Sequence, residues 1–188
     1  MREILERGAL QFYYRPRVGV QRVRGLADVQ RLLLVLAPDG RQRFRKLIVG
    51  RKRLPDPAQR ERGWAIVAEV SDARIRPDAA SAGAARYAIA EHEGHTHLSY
   101  ELDRPAAWGL EPVQRWLGIR HDASYVATVR NPEAPAAAGT HQPAALPKPL
   151  RDRFRGRRFA PLDPPEFLDH AGVEIVLIGA DDDAAGDE

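Results

Sequence analysis

The chain has 188 residues, 44% of them hydrophobic, which is enough for one core of ordinary domain size. It has no cysteine, so disulfides, thiolate metal sites and cysteine nucleophiles are excluded. The formal charge is +3, carried almost wholly by arginine because Lys46, Lys52 and Lys148 are the only lysines, and it implies a modest attraction to anions.

In chain order, "MREILERGAL" is too charged for a signal peptide, and no run of about 18 apolar residues follows anywhere. A cytoplasmic protein with no membrane contact is the expectation. "LQFYYR" alternates Leu10, Phe12 and Tyr14 against Gln11, Tyr13 and Arg15, the period of a half-buried strand. "RLLLVLAPDGRQRFRKLIVG" is two apolar runs joined by Pro38-Asp39-Gly40, where proline presets one turn dihedral and glycine accepts the positive one, so a hairpin is expected.

The second arm of that hairpin carries Arg41, Arg43 and Arg45 on one face, about 6.8 Å apart if extended, and Arg51, Lys52 and Arg53 follow in "GRKRLP". Such a rail can track a polyanionic backbone, with Phe44 and the "FYY" aromatics as stacking neighbours and Arg157 and Arg158 of "GRRF" as a second contact. The alternative is a solvated edge-strand face whose charges discourage pairing.

"WAIVAEV" from Trp64 reads as another strand, and residues 71 to 85 as an irregular connection. In "RYAIAEHEGHTHLSYELD", a two-residue Glu93-Gly94 turn pairs positions that sum to 187. That register sets Tyr87, Ile89, Leu98, Tyr100 and Leu102 on one face and His92, His95 and His97 on the other, with Arg86 opposite Glu101. Three imidazoles at this spacing, with Glu101 as a further ligand, suit a divalent metal such as zinc, and an open zinc site would activate water for hydrolysis. The competing reading is a polar hairpin tip.

"LEPVQRWLG" and "PLRDRFRG" carry helix start and stop signals, and "DPPEFLDHAG" reads as a third helical turn capped by Asp163. Its carboxylates Asp163, Glu166 and Asp169, three apart, belong either to the start of that helix or to an acid–base cluster. Residues 131 to 149, rich in proline and alanine, read as an extended crossing. "SYVATV" and "VEIVLIG" complete the strands. Trp64, Trp108 and Trp116 read as core or core-edge anchors rather than ligand platforms.

These elements predict an α+β fold, a mostly antiparallel sheet built from hairpins with a few short helices in the C-terminal half. They form a single domain over residues 1–180, with an acidic, disordered tail over 181–188. No nucleophile elbow, phosphate loop or dinucleotide fingerprint is present. The expected function is that of a small binding module contacting an anionic partner, nucleic acid or another polyanion, through the Arg41 to Arg53 arm. The alternatives are a metal-binding protein or metal-dependent hydrolase using His92, His95 and His97, and an interaction subunit with no small-molecule site.

Overall fold

The structure is a computed structural model describing residues 2–103, 109–134 and 143–180. Trp108, His141 and the acidic end from Asp181 lie outside the described residues. Among the described residues there are nine strands: β1 (Glu3–Pro16), β2 (Val29–Pro38), β3 (Phe44–Val49), β4 (Arg62–Ser71), β5 (Ala80–His92), β6 (His95–Leu102), β7 (Asp122–Arg130), β8 (Phe159–Pro161) and β9 (Glu174–Gly179).

Eight of them close a ring in the order β1-β2-β3-β4-β9-β7-β6-β5, every neighbouring pair antiparallel. Closure is made by β6 on β7, with His97 opposite Val126 and Glu101 opposite Asp122. The short β8 continues along the same edge of β7 where β6 ends, with Thr128 opposite Pro161.

The α+β expectation is therefore corrected to a closed antiparallel β-barrel. Among the described residues the helical segments are Leu26–Asp28, Gly50–Lys52, α1 (Pro112–Trp116), α2 (Lys148–Arg151), Asp152–Phe154 and Pro165–Asp169, none longer than five residues. The start and stop signals in "LEPVQRWLG" and "PLRDRFRG" stand so close together that one turn fits between them. A single turn buries too little to organise a layer. The Pro165–Asp169 turn carries no side-chain cap, so Asp163 does not cap it. Residues 71 to 85 are likewise not irregular throughout, because β5 begins at Ala80.

An eight-stranded barrel has an interior just wide enough for side chains to fill it. Alternate residues supply them: Leu10 and Phe12 from β1, Leu32 and Leu34 from β2, Leu47 and Val49 from β3, Ile89 from β5, Tyr125 from β7 and Ile175 from β9, all buried. Phe12 meets Tyr100 edge to face at 5.2 Å between ring centroids. Burial and a backbone hydrogen bond from Arg120, the second partly offsetting the first, leave the Tyr100 hydroxyl pushed up to about 12.

The histidine hairpin has the register read from the sequence, from Ala85 opposite Leu102 to His92 opposite His95. Both turn residues take positive φ, Glu93 at 52° and Gly94 at 82°, the primed-turn geometry that follows the right-handed twist of the strands. Tyr87, Ile89, Leu98, Tyr100 and Leu102 all face the core.

Candidate anion-binding groove

Strand parity decides where Arg45 of the predicted rail goes. In β3, Arg45 shares its face with Leu47 and Val49, which point into the barrel, and Arg45 is 0% exposed. Its guanidinium is answered there by two carboxylates. Glu6 of β1 accepts from Nη1 at 2.5 Å and Nη2 at 3.2 Å, and Asp169 accepts from Nε at 2.8 Å.

Arg41 joins the same cluster, donating to Asp169 at 2.8 Å. Arg43 pairs with Asp72 at 3.3 Å and stands 4.0 Å from Asp169. Tyr87 donates to Glu6 at 2.7 Å. The Pro165–Asp169 turn, anchored by buried Phe167 and Leu168, carries Asp169 over this end of the barrel.

Burial raises the Asp169 carboxyl, but hydrogen bonds from Arg45 and Arg41 outweigh it and hold the group below the ordinary carboxylate value. Desolvation works against the Arg45 charge. Hydrogen bonds to Glu6 and Asp169 overcome it and raise its pKa. The Tyr87 hydroxyl is pushed up by burial and then by the Glu6 charge. Arg41, Arg43 and Arg45 are thus a plug of paired charges at the barrel end rather than an outward rail. Nor are Phe44, Tyr13 and Tyr14, all half-buried, an open row of stacking surfaces.

Arg51, Lys52 and Arg53 follow β3 in a turn where Arg51 (φ 58°) and Lys52 (φ 62°) both take left-handed backbone. This conformation is unfavourable for residues with a Cβ and is kept only where surroundings enforce it. Lys52 donates to the Leu26 carbonyl at 3.2 Å and Arg53 to Glu61 at 2.6 Å, which fastens the turn, while Arg51 just before them is exposed.

Arg51 opens onto a groove of about 860 Å³ on the outer face of the barrel, crossing β4, β9, β7 and β8. Four arginines line it: Arg51, Arg62, Arg130 and Arg158. Two carboxylates also line it, and both are already engaged. Glu61 accepts from Arg53, and Glu174 accepts from Arg130 at 3.1 Å. Arg62 reaches from β4 to Phe159 on β8, its guanidinium 5.7 Å from the ring centroid. Among the described residues Arg51, Arg62 and Arg158 have no carboxylate partner, so the groove carries an excess of positive charge on a partly apolar floor that includes Val176.

Of the residues expected to bind an anion, the structure brings together Arg51 and Arg158 and separates the rest. Lys52 and Arg53 hold the turn. Arg157 faces a smaller depression with Arg153 and Arg155. No protein family, curated protein or solved structure matches the chain.

The histidines do share the outer face of the hairpin, as the register requires, with His95 exposed and His92 and His97 half-buried. His92 Nε2 lies 3.7 Å from Glu93, and Glu101 stands further along, opposite Arg86 and Asp122. Among the described residues no group of three or more histidine, aspartate and glutamate side chains is arranged to hold a metal ion. The carboxylates Asp163, Glu166 and Asp169 do not assemble either, since Glu166 is exposed while Asp169 turns to the arginines.

Sequence reasoning missed Arg62, Arg130 and Trp64 as groove residues. Arg62 and Trp64 alternate with the inward Ala65 and Val67, so their outward direction was readable. Their meeting with β8 depends on the β4–β9 and β7–β8 pairings, which local periodicity does not encode.

Proposed function

We propose that the barrel is a cytoplasmic binding module for a polyanionic partner, a nucleic-acid backbone foremost, and that the partner lies in the outer groove. The observation that carries this reading is the convergence of Arg51 and Arg158, from distant parts of the chain, on one concavity whose carboxylates are both already paired. Guanidinium groups without carboxylates to neutralise them are suited to bidentate contact with phosphate oxygens. The left-handed backbone at Arg51 supports the reading, because strain of this kind concentrates at binding sites.

The test is fluorescence anisotropy of a labelled single-stranded oligonucleotide at low salt, with wild type and Arg51→Gln/Arg158→Gln. Removing two phosphate contacts lowers affinity by at least roughly tenfold, with the thermal unfolding midpoint unchanged. Equal affinity in the two proteins, or no binding by wild type, overturns the proposal.

A further inference from the structure

Trp64 lies on the outer face of β4 among the groove's arginines and is 40% exposed, one of the few large apolar side chains so placed. A tryptophan on the outside of a barrel needs an account, because inward positions are available one residue away: Ala65, its neighbour, is 0% exposed. Part of its indole is packed against backbone. A Cβ added to Gly50 would fall 2.7 Å from Nε1 and 2.6 Å from Cδ2, so only glycine lets the ring settle there. Trp64 is therefore held in place from the Gly50 side, and the indole surface that remains open lies in the groove. The other aromatic ring of the groove, Phe159, already has the Arg62 guanidinium near it.

Gly50 is followed at once by Arg51 in left-handed conformation, so one turn both seats the indole and projects a guanidinium beside it. Arg158, on the far side, immediately precedes Phe159 of β8. The arrangement sets a pinned aromatic surface between cations on two sides. A ring fixed before binding loses little rotamer freedom when a ligand stacks on it. Stacking on such a ring tolerates any base, and backbone phosphates on either side meet arginines.

We propose that the groove takes single-stranded nucleic acid, an unpaired base stacking on Trp64 while Arg51 and Arg158 hold the flanking phosphates. This inference rests on the anion-binding reading above and adds the ligand's base to it. A duplex hides its base faces in its own stack, and a single nucleotide would engage only one of the two arginine sides. The groove thus selects a strand over either.

The experiment compares four probes on wild type: a single-stranded thymidine oligonucleotide, an abasic oligonucleotide of the same length and charge, a duplex of that length, and thymidine monophosphate. The first binds tightest, roughly 5- to 150-fold tighter than the abasic strand, the range that base–aromatic stacking produces, and quenches the intrinsic tryptophan fluorescence. Trp64→Leu brings the thymidine strand down to the abasic level, leaves abasic binding unchanged and abolishes the quenching.

Equal binding of thymidine and abasic strands by wild type overturns the base-stacking inference and leaves the anion-binding reading standing. Preference for the duplex, or equal affinity for the mononucleotide, also overturns it. Failure of every probe to bind at low salt removes both readings. The comparison of probes on wild type stands whether or not the leucine variant folds.

Discussion

Arg45 and Arg51 lie close together in the chain and occupy opposite electrostatic worlds. Arg45 is buried in the barrel, with carboxylates on two sides of its guanidinium. Arg51 is exposed on the outer groove, where the neighbouring carboxylates already serve Arg53 and Arg130. Residue type does not separate them. The end of the strand does: Arg45, inside β3, alternates in step with Leu47 and Val49, so its charge goes inward to meet Glu6, in step with Leu10 and Phe12, whereas Arg51 lies past Val49 in a left-handed turn. A paired buried arginine contributes to the barrel's integrity, whereas an exposed arginine without a carboxylate is available to a ligand.

The largest expected effect lies on the buried side. Arg45→Ala leaves Glu6 without its main partner inside the barrel and costs about 3–5 kcal/mol, measured by urea denaturation. A loss below about 1 kcal/mol would erase the distinction between the two arginines. Asp169→Asn removes the charge that Arg45 and Arg41 share and costs about 1.5–3 kcal/mol.

Because the folded carboxyl of Asp169 is held below its unfolded value of 3.8, its contribution is present above that pH and is lost as pH falls through the folded value. Stability against pH therefore falls less steeply below 3.8 in Asp169→Asn than in wild type. The smallest effect has the opposite sign. Arg51→Gly relieves the left-handed backbone and raises stability by about 1 kcal/mol while weakening polyanion binding. If it destabilises instead, Arg51 belongs with Arg45 as a structural residue.

The two regions also differ in how far the sequence discloses them. The histidine hairpin was legible to the residue, because a two-residue turn and alternation on both arms leave one register. The same logic applied to β3 shows Arg45 in step with Leu47 and Val49. What alternation on one strand does not reveal is which face is inside when both faces carry some apolar residues, as with Phe44 and Ile48 on the other face.

Barrel closure was not legible. The β1–β5 and β6–β7 pairings join strands that no turn connects, and antiparallel hairpins fit an open sheet equally well. The groove was half legible: Arg51 and Arg158 stood out as basic, but their meeting follows from the order β4-β9-β7-β8. Trp64 read as a core or core-edge anchor because tryptophan commonly is one. Its outward direction is fixed by its step with Arg62 and by the bare backbone of Gly50 beneath it.

Polyanions are expected to meet the outer groove and not the arginines at the barrel end. The most direct measurement is the slope of log affinity against log salt concentration for a single-stranded oligonucleotide, taken on wild type, Arg51→Gln/Arg158→Gln and Arg41→Gln. Each phosphate contact contributes about 0.7 to that slope. The groove variant is expected to lose about 1.4 of it, and Arg41→Gln to keep the wild-type slope. An unchanged slope in the groove variant together with a reduced one in Arg41→Gln would contradict the assignment and return the binding surface to the barrel end.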